Sequence, residues 1–163
     1  MQPAFTYGLL RSVKEYNLHT AIETCGHAQW NELEKILEVT DMVIYDVKHT
    51  DSSQHKKFVG VGNELILENL EKIVREEKDV LVRIPLIPSI NDSDDNLMKS
   101  AELLKQLGIA GVEFIPYHEF ASEKNVLIGR DYVLRGLKPY KSEQLEQKTR
   151  FMAKHGIQAK IGV

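Results

Sequence analysis

A chain of 163 residues, 42% hydrophobic and 28% charged, carries enough apolar material for one globular domain with a real core. A net charge of -3 without a basic cluster excludes the electrostatic footprint of a nucleic-acid binder, and a single cysteine excludes an internal disulfide framework. No apolar run approaches the roughly 20 residues that span a membrane, and no charged segment followed by an apolar one opens the chain, so a cytoplasmic protein is expected.

The chain starts on a helix. Pro3 suits a first turn, Phe5, Leu9, Leu10, Val13 and Tyr16 recur at helical spacing, and Asn17 ends it. His19 to Glu23 reads as a short strand that closes on Glu23-Thr24-Cys25-Gly26. Asn31 to Val39 is a short helix with Leu33, Ile36 and Leu37 inward. Asp41 to Lys48 is the strand with the clearest signature, because Met42, Val43, Ile44 and Tyr45 are apolar, β-branched or aromatic without helical period. Asp51 caps a helix over Ser52 to Phe58, broken at Gly60-Val61-Gly62. Asn63 then caps a longer helix with Ile66, Leu67, Leu70, Ile73 and Val74 on one stripe. Val80 to Pro85 is the third strand. Ser93 caps the helix through Leu97, Ala101, Leu104 and Leu107, and Gly108 stops it. Gly111 to Ile115 is the fourth strand, with Pro116-Tyr117-His118 at its end. Ala121 to Tyr140 has no periodicity, and its length marks a functional or partner-facing loop. Ser142 opens a last helix, and Gln158 to Ile161 is a short final strand.

Strands alternating with helices give βαβ units and a parallel sheet. Four core strands plus a short terminal one amount to half of an eight-stranded barrel. The fold class is therefore α/β, as a partial (β/α) barrel with an exposed edge or a small doubly wound domain, and residues 1–163 form one domain.

Asp46 and Lys48 lie two apart, so on an extended strand both side chains leave from the same side. They fit an internal ion pair equally with a ligand site. Lined up by their C-terminal ends, the strands present Glu23-Thr24, Asp46-Lys48, Arg83 and His118. In a parallel sheet these residues share the rim where such folds bind ligands. The rim suits a zwitterion: carboxylates for an amino group, Lys48 or Arg83 for a carboxylate, His118 for a hydroxyl. Each residue also has a structural explanation, Thr24 as a strand-end hydrogen bonder and Arg83 as a core ion pair. Cys25 has His27 two residues on but no base placed for it, and no Cys, His and carboxylate set has metal-ligand spacing. Two other function classes stay open on residues alone. One is a (β/α) enzyme acting on a phosphorylated metabolite through Asp46 and Lys48, with Gly60 to Gly62 on the phosphate. The other is a non-catalytic binding module.

At these same residues the chain resembles the radical S-adenosylmethionine activases of glycyl radical enzymes, closest to the pyruvate formate-lyase type. The matching stretches are His19-Thr-Ala-Ile-Glu-Thr-Cys-Gly26, Tyr45-Asp-Val-Lys48 with His49, Phe58-Val-Gly-Val-Gly-Asn-Glu64, Val82-Arg-Ile-Pro-Leu-Ile-Pro88 into Asn91-Asp92, Ile115-Pro-Tyr-His118, and Tyr132 to Pro139. The resemblance implies a (β/α)6 partial barrel, of which this chain is a fragment. It implies that Asp46 binds the amino end of S-adenosylmethionine and that Lys48 and His118 lie around its carboxylate and ribose. Arg83 then faces the cofactor or the partner's glycine loop. Glu23, Thr24, Asp46 and the Val47 carbonyl match a monovalent-cation site beside the ligand, although the family often has Asp where Glu23 stands.

For the complete enzyme the resemblance implies a 4Fe–4S cluster and reduced flavodoxin or ferredoxin as electron donor. It also implies a glycyl radical enzyme, such as pyruvate formate-lyase, as the partner on which the radical forms. The family's cluster-binding CxxxCxxC loop and Gly-Gly-Glu-Pro motif are not found in this chain, and Cys25 cannot replace three thiolates. The chain is therefore expected to be the C-terminal portion of an activase and to be inactive by itself.

Overall fold

The computed structural model describes residues 2–118, 134 and 136–162. In chain order the elements are α1 (Pro3–Lys14), β1 (Ala21–Thr24), α2 (Trp30–Leu37), β2 (Met42–Asp46), α3 (Ser52–Val59), α4 (Glu64–Arg75), β3 (Asp79–Leu86), α5 (Asp94–Gln106), β4 (Gly111–Pro116), α6 (Ser142–Lys154) and β5 (Gln158–Ile161). Most of the loop expected from Ala121 to Tyr140 lies outside the described residues. The strands form one five-stranded sheet in the order β1-β2-β3-β4-β5. The β1–β2, β2–β3 and β4–β5 pairs are parallel. Each strand is laid beside the one before it, without the reversal that defines a doubly wound sheet. Of the two architectures open in the sequence, this order is that of a (β/α) barrel wall.

Two compact units, Met1–Arg83 and Ile84–Val163, divide the chain inside β3. In the first, the register pairs Val43 with Val80 and Tyr45 with Val82. Alternation along each strand therefore puts Val43, Tyr45 and Val82 on one face, where none has any exposed surface. Leu33, Ile36 and Leu37 of α2 and Ile66, Leu70 and Ile73 of α4 are buried too. Tyr45 joins the two layers, since its hydroxyl donates to Ile66 O at 2.6 Å. Each such side chain contributes about 1.5–3 kcal/mol on burial. The opposite face, with Met42, Ile44 and Asp46, is only half-buried.

Two local readings need correction. Asn63 does not cap α4 with its side chain; its amide instead donates to His49 O and Thr50 O, both at 2.9 Å. These two donations turn the side chain toward the β2–α3 turn, and its oxygen, the atom that would cap, accepts no hydrogen bond from the start of α4. In α1 the periodicity is right, yet none of its residues is buried, and Phe5, Leu9 and Tyr16 are exposed. The caps at Asp51 and Ser93 stand as expected, accepting from Gln54 N and Asn96 N.

α1 is tied to the strand bases by charge. Lys14 donates to Asp41, whose other oxygen accepts from Thr20 N at 2.7 Å and Thr20 Oγ1 at 3.1 Å. The Lys14 hydrogen bond, followed by the Thr20 amide, holds the Asp41 carboxyl well below the usual carboxylate range. A depressed folded-state pKa contributes stability that is fully present above the unfolded value of about 4 and is lost as pH falls below it. Asp41→Asn is thus expected to lower the urea midpoint at neutral pH, and its gap to the wild type should shrink as pH drops through the acid range. A gap independent of pH would contradict this.

The second unit is held by the turn after β3. Asn91 donates to Pro85 O at 2.6 Å and accepts from Ile87 N at 2.8 Å, and Asn96 of α5 donates to Asn91 O at 2.7 Å. Phe114 and Met152 have no exposed surface, and Lys148 of α6 reaches Asp92 O at 2.6 Å.

Candidate functional site

The C-terminal ends of β1 and β2 meet Arg83 of β3 within the first unit; β3 itself continues to Leu86, so Arg83 lies inside that strand and not, as expected, at its end. In the register Glu23 lies opposite Ile44 and Asp46 opposite Arg83, and in-register neighbours of parallel strands share a face. Glu23, Asp46 and Arg83 therefore stand together on the half-buried face of the sheet. Val47 N donates to Arg83 O at 2.8 Å, which carries the pairing one residue beyond β2. Lys48 folds back on the same side, and its Nζ lies 2.7 Å from Asp46 Oδ2. Arg83 Nη1 lies 3.4 Å from Glu23 Oε2. The pairs differ in burial: side-chain exposure is 19% for Asp46 and 33% for Lys48, but 62% for Glu23. The expectation that Asp46 and Lys48 leave from one side agrees with this geometry. Among the described residues this brings together two carboxylates and two cations.

Thr24 stands apart from that patch. It lies opposite Tyr45 in the register, on the other face, and its Oγ1 accepts from Gly26 N at 3.0 Å. The hydroxyl thus serves the turn, and of the expected cation ligands only Glu23 and Asp46 bring side chains to one face. Val47 belongs to the expected set through its main-chain carbonyl, and its side chain is buried. His118 is exposed at the end of β4 in the second unit. Among the described residues no group of three or more His, Cys, Asp or Glu side chains is placed to hold a metal ion.

The turn after β1 is built with little tolerance. Gly26 has φ +68°, and a Cβ added there would lie 1.7 Å from the Tyr45 hydroxyl. Asn69 of α4 donates to Gly26 O at 2.7 Å and Ala28 O at 2.9 Å. Burial, and then Cys25 nearby, pushes the Tyr45 phenol well above its ordinary value, so this donor stays protonated on Ile66 O. Cys25 thereby belongs to a structural turn. Sequence reasoning passed over Asn69, although a polar residue at a buried position of the α4 stripe is a readable signal.

The Gly60-Val61-Gly62 turn is occupied from within. A Cβ on Gly62 would lie 2.2 Å from Glu64 Oε2, and Ser52 Oγ donates to Glu64 Oε1 at 2.5 Å. The Ser52 hydrogen bond lowers the Glu64 pKa, so the start of α4 already carries a negative charge. A phosphate approaching there meets a carboxylate. His55 closes the turn, with Nδ1 2.7 Å from Val61 O, and is buried at 1% exposure. The geometry gives the phosphorylated-metabolite reading no support.

No protein-family model matches the chain. It is 36% identical over 151 residues to the choline trimethylamine-lyase activating enzyme of Oleidesulfovibrio alaskensis, covering 90% of this chain and 49% of that protein. It is 30% identical over 159 residues to the pyruvate formate-lyase 1-activating enzyme of Escherichia coli, covering 96% of this chain and 65% of that protein. The chain thus spans about half to two thirds of the length of these curated relatives. A crystal structure of a domain of pyruvate-formate lyase-activating enzyme from Bacteroides vulgatus superposes with a TM-score of 0.81 at 25% identity, over 99% of this chain and 92% of that one. No helix among the described residues is long and apolar enough to cross a membrane.

Proposed function

Since the chain is by sequence a relative of the glycyl radical enzyme activating enzymes, we propose that it supplies the part of a radical S-adenosylmethionine barrel that cradles the methionyl end of that ligand. The observation that carries this reading is the two neighbouring ion pairs, Asp46 with Lys48 and Glu23 with Arg83, on one face among the described residues. A zwitterion inserted between Asp46 and Lys48 exchanges one ion pair for two. Its ammonium takes the Asp46 carboxylate, and its carboxylate takes the Lys48 ammonium. Each charged group of the ligand thus meets an opposite charge, which offsets the cost of its desolvation. Arg83 holds the Glu23 side and keeps that carboxylate from competing for the ligand's ammonium.

The residues present do not fit an iron–sulfur cluster. Such clusters are held by several cysteine thiolates, whereas this chain has one cysteine, and Cys25 sits in the Tyr45 turn. In the radical S-adenosylmethionine activases the cluster supplies the electron that cleaves the ligand. Here the chain's own residues bind and orient the ligand. By this reading the chain alone does not cleave S-adenosylmethionine, and the radical acceptor is a glycine of a glycyl radical enzyme served by the larger assembly.

Isothermal titration of the chain with S-adenosylmethionine and, separately, with ribose 5-phosphate tests the cradle. Saturable binding of the first and none of the second is expected. The reverse pattern would sink the reading. Release of 5′-deoxyadenosine by the chain under dithionite, above the protein-free rate, would overturn the claim of inactivity.

A further inference from the structure

The buried stripe of α4 contains one polar side chain. Ile66, Asn69, Leu70 and Ile73 are all buried, and Asn69 has no exposed surface at all. A leucine at that position would bury apolar area without desolvating an amide, so core packing by itself does not account for asparagine. The amide spans to the turn after β1, donating to Gly26 O at 2.7 Å and to Ala28 O at 2.9 Å. Two carbonyl oxygens at those distances fix which amide atom is nitrogen, because the opposite assignment would set oxygen against oxygen. Asn69 Oδ1 then accepts no hydrogen bond among the described residues. A buried amide left half-satisfied works against stability, which points to a role beyond it.

The turn it grips is short and stiff. Gly26 N donates to Thr24 Oγ1 at 3.0 Å, and the Tyr45 hydroxyl fills the space where a Cβ of Gly26 would be. Glu23 lies three residues before Gly26, at the end of β1, with its carboxylate directed to Arg83 at 3.4 Å. Where the turn sits therefore sets where Glu23 sits.

We propose that Asn69 is a positioning residue: by holding the Gly26 and Ala28 carbonyls it sets the end of β1 and, through it, the Glu23 carboxylate against Arg83. Its effect on ligand affinity rests on the cradle reading above, whereas the positioning itself does not.

The test is Asn69→Leu in the full chain, with Ile73→Val as a control that loosens the same helix without touching the turn. Four quantities are compared: amide hydrogen exchange at residues 26–28, the Arg83 guanidinium resonances, the melting temperature and the S-adenosylmethionine Kd. In Asn69→Leu the turn amides should exchange at least tenfold faster. The Arg83 resonances should move toward those of Glu23→Gln, and Kd should rise at least fivefold. In Ile73→Val none of these should change, even at an equal loss of melting temperature. Turn amides and Arg83 resonances unaltered in Asn69→Leu would overturn the proposal, as would equal changes in Ile73→Val. Should Asn69→Leu fail to fold, Asn69→Asp keeps the size, removes both donors and should give the same exchange and resonance changes. A wild-type chain that binds no S-adenosylmethionine sinks the cradle reading, and the exchange and Arg83 data then judge the positioning alone.

Discussion

Gly26→Ala is expected to destabilise the chain by about 2–5 kcal/mol, the sum of a left-handed backbone penalty of about 1–2 kcal/mol and an overpacking term of about 1–3 kcal/mol. Both contributions have a visible source. The residue has φ +68°, and its new methyl group would fall 1.7 Å from the Tyr45 oxygen and 2.4 Å from its Cζ. Tyr45 cannot retreat easily, since it has no exposed surface and its hydroxyl is bonded to Ile66 O at 2.6 Å. Against a typical stability of about 5–15 kcal/mol, the loss is a large fraction of the whole. Gly8→Ala is the matched control. It lies inside α1, nothing stands within 4 Å of a Cβ built there, and alanine should stabilise by up to about 1 kcal/mol. Urea titrations of both variants decide the matter. A Gly26→Ala midpoint equal to the wild type would mean that the turn and Tyr45 are not packed as described.

Asp46→Asn is expected to weaken S-adenosylmethionine binding by at least tenfold while leaving the fold nearly unchanged. The affinity loss follows from replacing a charged acceptor, whose hydrogen bonds contribute about 1.5–3 kcal/mol, by a neutral one. The small stability effect follows from the partner's exposure. Lys48 keeps 33% of its side-chain surface, and an ion pair so placed contributes less than about 1 kcal/mol after solvent screening. Lys48→Met should lose affinity similarly, from the carboxylate end of the ligand. Lys57→Met, on α3 and exposed, should leave binding as it was. Calorimetry on the three variants, with urea midpoints alongside, separates a ligand contact from a loss of folding. Undiminished binding in Asp46→Asn would exclude Asp46 from the cradle.

How far the amino-acid sequence alone reached is clearest at β2. A run of Met42 to Tyr45 without helical period, ending in Asp46 and Lys48, determines a buried strand and places both charges on one side, because side-chain alternation is a property of a single strand. The same local logic gives the alternation of strands and helices and the Asp51 and Ser93 caps. Short-range chemistry decides each of these within a few residues.

What only the tertiary structure decided lies between segments far apart in the chain. Glu23 meets Arg83 across 60 positions, and the register that joins them depends on how three strands pair. The strand expected over His19 to Glu23 runs instead from Ala21 to Thr24, and its register with β2 puts Thr24 beside Tyr45 instead of with the charges. Whether Gly60 to Gly62 is a phosphate cradle or a filled turn depends on Glu64 and Ser52, 12 residues apart. Whether the α1 stripe is core or surface depends on what packs against it, which periodicity does not encode. Asn69 acts on a turn 43 residues upstream, and only the fold brings its amide to those carbonyls.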